Sequence, residues 1–80
     1  MYVHIGNNYI LNSNNIIGIF NIKELKKDNS FEKIENYLAP KENILDISNG
    51  KQKSFILVKE EKIKAYISNI SSFTIANRIK

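Results

Sequence analysis

Cysteine is absent from this 80-residue chain, which also contains only one proline and three glycines. Without cysteine, neither a disulfide framework nor a thiolate metal site can stabilise the fold. A chain of this length forms one domain, residues 1–80, which buries only roughly 60–65% of the surface exposed in the unfolded state. We therefore expect self-association to bury more surface, and the missing cysteines favour a reducing, cytoplasmic setting.

Long apolar segments are absent too. The first residues, MYVHIGNNYI, lack a basic stretch followed by an apolar one, so no signal peptide is predicted. No apolar run approaches the roughly 18 residues that a membrane-spanning helix needs. We expect a soluble, intracellular protein without a membrane partner.

The residue types that usually carry catalysis or bind metals are sparse. His4 is the only histidine, and no nucleophile and acid stand at a spacing typical of a catalytic triad. We expect His4 to be structural or solvent-facing, with a pH-sensitive interface contact as the alternative. The acidic residues are scattered, and the glycines are too far apart for a phosphate-binding loop. The sequence therefore predicts no enzyme, no cofactor, no metal and no small-molecule substrate.

Alternating and β-branched segments predict six strands, and two segments have helical spacing. The predicted strands cover residues 2–6, 9–11, 16–22, 44–47, 54–58 and 62–67. One helix is predicted from an Asn29 cap to just before Pro40, and a second from a serine cap through SSFTIANRI. KELKKDN, residues 23–29, is interpreted as a charged connector, and Gly18 suggests a β-bulge.

The order β-β-β-α-β-β-β-α with tight turns predicts a small α+β domain whose sheet is mainly antiparallel. In the last predicted strand, Ile63, Ala65 and Ile67 alternate with Lys62, Lys64 and Tyr66. This alternation is typical of a strand with one solvent-facing side.

The segment DISNGKQKSFILV, residues 46–58, contains the strongest short-range pattern. Asn49-Gly50 predicts a hairpin turn, and Lys51, Gln52 and Lys53 follow it directly. Lysines beside the outward N–H groups of such a turn can bind phosphate oxygens, and a glutamine can reach a base edge. The alternative is that the lysines only keep a sheet edge soluble. The net charge of +4 favours a polyanionic partner without requiring one.

Three segments, YVHIGNNYILNSNNIIGIF, ILDISNGKQKSFILV and ISNISSFTIANRI, together resemble the RemA/RemB family of bacterial extracellular-matrix regulators. The resemblance covers nearly the whole chain except residues 21–41. MYVHIG and KSFIL are more similar to the RemB branch. The pattern from Asp46 to Lys51 and the terminal T-x-A-x-R are more similar to RemA. We expect the RemB branch to be the closer of the two.

The resemblance implies a DNA-binding transcriptional regulator of the biofilm or extracellular-matrix type. It further implies a LytTR-like fold and assembly into a homo-oligomeric ring. The implied partners are double-stranded DNA, which we expect to be AT-rich, and copies of the chain itself, in the cytoplasm at the nucleoid. By position, the family's basic site falls on Asn15, Lys51 and Gln52, where RemA-like proteins have arginine. Only Lys51 is charged, and Lys53 adds to the candidate DNA-binding residues.

Four aromatic residues are candidates for the oligomer interface, because so small a core leaves some apolar side chains uncovered. They are Tyr2, Tyr9, Phe20 and Phe73. Core packing is the alternative for each. The missing arginines leave a second hypothesis open, in which the chain is a ring-forming scaffold or a partner-binding module that does not touch DNA.

Overall fold

The computed structural model describes residues 1–80 and contains six strands and three α-helices. The strands are β1 (Tyr2–Gly6), β2 (Tyr9–Asn12), β3 (Ile16–Asn21), β4 (Ile44–Asp46), β5 (Ser54–Lys59) and β6 (Ile63–Ser68). The α-helices are α1 (Ile22–Lys27), α2 (Ser30–Tyr37) and α3 (Ser72–Ile79), with short 3-10 turns at Ser13–Asn15 and Lys41–Asn43. The predicted order is confirmed except for α1. None of the helices is long and apolar enough to cross a bilayer.

The strands form two sheets. β1 and β2 make an antiparallel hairpin of their own, and the other four strands lie in the order β3-β5-β6-β4. β5 is antiparallel to both β3 and β6, whereas β4 runs parallel to β6. The α+β class with mainly antiparallel pairing is therefore confirmed, but the single sheet of the prediction is divided and contains one parallel pair.

The predicted hairpin at Asn49-Gly50 is wrong. Both residues have positive φ, 55° and 86°, so the expected tight turn is present. Its flanking strands are nevertheless not partners, because β6 lies between β4 and β5. Backbone hydrogen bonds from Ile47 N to Ile67 O and from Lys53 N to Ser68 O, each 2.9 Å, attach both ends of the segment to β6. The local pattern predicted the turn and not the strand that lies beside it.

Both faces of the four-stranded sheet are packed. The β1–β2 hairpin and α3 cover one face, with a core of Val3, Ile5, Leu11, Ile47, Ile56, Val58 and Ile75. Helices α1 and α2 cover the other, with a core of Ile22, Leu38, Phe55, Ala65 and Ile67. The prediction that Tyr66 lies on a solvent-facing side of β6 is therefore wrong. That ring is partly buried against the first core, with its centroid 6.1 Å from that of Tyr9.

Helix α1 replaces the predicted connector. The Asn21 side chain caps it, because Asn21 Oδ1 accepts hydrogen bonds from Lys23 N at 2.9 Å and Glu24 N at 3.3 Å. Ile22 is buried and Leu25 is partly buried beneath it. Two apolar side chains are too few to predict a helix by periodicity, so this six-residue element was missed.

The other predicted helices are present. α2 packs Phe31 and Ile34 against the core, and its C-cap residue, Leu38, belongs to that core, as predicted. The helix ends before Pro40. Its N-cap residue, Asn29, makes no side-chain cap bond; instead Asp28 Oδ1 accepts from Ser30 N at 2.9 Å.

Local signals at two further positions are also confirmed. The serine cap of α3 is Ser71, whose Oγ accepts from Thr74 N at 3.1 Å. The bulge predicted at Gly18 is present as a shift of the β3–β5 register between Ile16 and Gly18.

Candidate nucleic-acid interface

The backbone of residues 51–53 is held in place by three hydrogen bonds. Lys51 N donates to Ser48 O at 3.1 Å, and Lys53 N donates to Ser68 O at 2.9 Å. The carbonyl of Lys53 accepts from Ile22 N, the first residue of α1, at 3.1 Å. The side chains of residues 51–53 are all exposed. Lys51 and Lys53 therefore present their charges to solvent from a fixed main chain.

Gln52 connects the turn to its surroundings. Its Nε2 donates to Asp46 Oδ2 at 2.9 Å, and its Oε1 accepts from Lys26 Nζ at 2.9 Å. Asp46 Oδ1 also accepts from Ser48 N at 2.9 Å and from Ser48 Oγ at 2.6 Å. The Gln52 amide is thus engaged at both ends within the protein, and it positions a lysine of α1 beside the turn.

The electrostatics of this cluster follow from the same contacts. Desolvation of its carboxylate raises the pKa of Asp46, but hydrogen bonds from Ser48 and Gln52 and the positive charge of Lys26 outweigh it. The net result is a pKa below the ordinary value for an aspartate. Asp46 is therefore ionised over the neutral range and accepts the hydrogen bonds that order the turn.

Lys23 and Lys26 were missed by the sequence interpretation, which placed them in a connector. Lys26 Nζ lies 4.9 Å from the centroid of the Phe31 ring, a cation–π geometry, in addition to its contact with Gln52. Asn21 with Glu24 three residues later was the available signal, because that spacing is typical of a helix N-terminus. We call Lys23, Lys26, Lys51 and Lys53 the basic surface.

A groove of about 220 Å³ lies within this surface, where the start of α1, the segment before β5 and the start of α3 meet. Its lining residues are Asn21, Ile22, Lys23, Gln52, Lys53, Ser71 and Ser72. Only Ile22 is apolar, and no carboxylate is among them. The groove therefore offers cationic and neutral polar groups to a ligand.

Asn15 lies away from the other DNA-binding candidates. β3 runs antiparallel to β5, with Ile16 opposite Val58 and Asn21 opposite Ser54. Asn15, just before β3, is therefore at the opposite end of this strand pair from Lys53. It lines a second groove of about 320 Å³ that also contains the ion pair of Glu60 and Lys64, 3.2 Å apart. A single protomer does not bring Asn15 together with residues 51–53.

The four candidate interface aromatics are all at the surface. Tyr2 and Phe73 are 72% and 75% exposed, and Tyr9 and Phe20 are 38% and 36% exposed. They are thus not core residues of the protomer. His4 is exposed on β1, and its carbonyl accepts a hydrogen bond from Arg78 Nη1 at 2.8 Å, which connects α3 to β1.

The fold and the surface define a small α+β domain whose polar groove is open to solvent and flanked by lysines. The chain matches the RemA-like family, described as extracellular matrix regulatory protein A-like, over residues 2–79. The protein therefore belongs to the RemA-like family, which fits a regulatory role. No curated protein sequence matches the chain at a significant level.

Proposed function

We propose that the protein is a DNA-binding transcriptional regulator that contacts DNA phosphates through its basic surface. The observation that carries the proposal is a cluster of four exposed lysines that form no ion pair, although the Asp46 carboxylate offsets part of the charge of Lys26. The ion pairs of the structure are Lys27 with Glu24 and Lys64 with Glu60, and neither involves a lysine of the basic surface. Lysines without a carboxylate partner are available to displace counterions from a phosphate backbone.

The order of the main chain supports the same function. Residues 51–53 are hydrogen-bonded to α1 and β6, so the lysine side chains project from a rigid base. Less conformational entropy is lost when a preorganised surface binds its partner. Because the Gln52 amide is occupied by Asp46 and Lys26, we infer that Gln52 positions the surface and does not read a base.

A ring of protomers is part of this proposal. One protomer provides only a few lysine–phosphate contacts, each weak and salt-sensitive. Repetition of the basic surface around a homo-oligomer would raise the effective concentration of each further contact. Exposed Tyr2 and Phe73 supply the apolar area that such an assembly buries. The LytTR-like relationship rests on the family resemblance alone.

Fluorescence anisotropy of a labelled AT-rich duplex tests the function. The variants are Lys51→Glu/Lys53→Glu and, as a matched control, Lys59→Glu/Lys62→Glu, which makes the same charge change at the other end of β5. We expect the first double variant to lose binding and the control to retain most of it, with oligomer mass by light scattering unchanged. Equal loss in both double variants would mean that net charge alone drives binding.

A scaffold that binds a protein partner is the second candidate function. Two observations favour it: Gln52 and Asn15 carry no charge, and Asn15 lies far from the basic surface in the protomer. A well-formed oligomer that gives no salt-sensitive DNA signal would support this function.

The RemB branch is our proposed placement within the family. The segments MYVHIG and KSFIL support it, as does the absence of arginine at positions 15, 51 and 52. With double-stranded DNA as the proposed partner, we propose a location in the cytoplasm at the nucleoid. The DNA affinity of Gln52→Arg measures how much binding is lost by having glutamine, and not arginine, at residue 52.

A further inference from the structure

We propose that the groove between α1, residue 53 and α3 binds one phosphate of the DNA backbone, with Lys23 and Lys53 as its cationic ligands. This inference rests on the proposed function and deepens it. The main phosphate contact would then lie in this groove and not at the exposed turn, and Lys23 of α1 would take part in it.

The hydrogen bonds of the lining residues show which groups are free to bind. Ser71 Oγ is used by Thr74, and the Asn21 oxygen is used by the first turn of α1. Both ends of the Gln52 amide are also occupied. The free donors are the ammonium groups of Lys23 and Lys53, the Ser72 hydroxyl and the Asn21 amide nitrogen. Ammonium groups, a hydroxyl and an amide N–H are suited to phosphate oxygens.

The composition of the groove favours a phosphate over a base. The groove has a volume of about 220 Å³, and its lining is almost entirely polar or cationic. No aromatic side chain lines it, so a base has no ring on which to stack. A phosphate needs only the charged and polar donors that line the groove.

Lys23 does not serve the stability of the fold. It lies in the first turn of α1, where a positive charge opposes the helix dipole. Its side chain makes no hydrogen bond or ion pair in the structure and is exposed. Replacing Lys23 should therefore leave the protein folded, so that a loss of binding reports on the groove.

The test is DNA affinity across a salt series for the wild type, Lys23→Gln, Lys53→Gln and Lys27→Gln. Lys27→Gln is the matched control, because it removes the same charge from the same helix but lies outside the groove. We expect Lys23→Gln and Lys53→Gln each to weaken binding by about threefold to tenfold, and to reduce the salt slope by about one per contacting protomer. Lys27→Gln should stay within about twofold of the wild type.

The outcomes separate this inference from the proposed function. If Lys53→Gln weakens binding but Lys23→Gln matches Lys27→Gln, the groove is not a phosphate site while DNA binding stands. If the wild-type oligomer does not bind DNA, both proposals are overturned.

A second variant inserts a negative charge into the groove. Ser72→Glu should reduce DNA affinity more than Lys23→Gln, because an anion would repel the phosphate. A carboxylate at the start of α3 favours that helix, so the fold should persist. Asn77→Glu, at an exposed position further along α3, makes the same charge change outside the groove and should have less effect. Equal effects of the two variants would contradict the inference.

Discussion

The ammonium group of Lys26 lies 2.9 Å from the amide oxygen of Gln52, although the two residues are 26 positions apart in the chain. This contact places a positive charge of α1 beside the turn, at the position where the family resemblance predicts an arginine. Residue 52 is neutral, and Lys26 places a positive charge directly beside it. Because Gln52 also donates to Asp46, one amide connects the turn, α1 and the end of β4.

Introducing an arginine at residue 52 should strengthen DNA binding. Gln52→Arg adds one charge to the basic surface, and we expect a rise in affinity of about threefold to tenfold with a steeper salt dependence. Anisotropy on the same duplex measures it. Asn15→Arg is the comparison, since it adds the same charge at the far end of the β3–β5 pair. No gain from Gln52→Arg, in a variant whose thermal stability matches that of the wild type, would contradict the assignment of this surface.

The Asp46 carboxylate should make the protein sensitive to acid. Its pKa is lowered in the folded state, so its stabilising contribution is present above the unfolded pKa of about 3.9. That contribution is lost as the pH falls through the lower folded pKa. We expect Asp46→Asn to be less stable than the wild type at pH 6, with the gap narrowing below about pH 4. Thermal unfolding across this range is the measurement, and parallel curves would rule the linkage out.

Phe55 should be among the most costly residues to truncate. It is fully buried, and its ring lies 5.6 Å from that of Phe31 in an edge-on geometry. We expect Phe55→Ala to lower the free energy of unfolding by about 3–5 kcal/mol. Tyr37→Ala, at a side chain that is 74% exposed, should change it by less than about 0.5 kcal/mol. Urea unfolding at one fixed protein concentration compares the two.

Phe73 should contribute to assembly and not to the protomer fold. Its ring is 75% exposed at the start of α3. We expect Phe73→Ser to lower the oligomer mass measured by light scattering while the far-ultraviolet circular dichroism stays unchanged. Tyr37→Ser is a matched control, because that ring is equally exposed but lies on α2. A mass that is unaffected in both variants would remove Phe73 from the interface.

Structural features that depend on a few neighbouring residues were predicted correctly from the sequence. Ser71 caps α3, Gly18 marks the bulge, and Asn49-Gly50 forms a positive-φ turn. Each depends on the intrinsic conformational preferences of one or two residues. Such preferences act locally, and they are visible in the sequence without knowledge of the fold.

Relationships between distant segments could not be predicted in the same way. The turn at Asn49-Gly50 gives no information on whether β5 or β6 lies beside β4, because that choice depends on how both sheet faces are covered. The contact of Lys26 with Gln52 and the groove between α1 and α3 exist only after that packing is complete. The separation of Asn15 from Lys53 follows from the antiparallel register of β3 and β5, which sequence spacing does not contain.

If the basic surface binds DNA phosphates, the affinity of the wild type for DNA must fall as the salt concentration rises. The measurement is the dissociation constant for one duplex at several salt concentrations, with oligomer mass followed in parallel. We expect the logarithm of the affinity to fall linearly with the logarithm of the salt concentration, with a slope of about −3 or steeper for the wild type and a shallower slope for Lys51→Gln/Lys53→Gln. An intact oligomer whose DNA affinity is absent or independent of salt would contradict it.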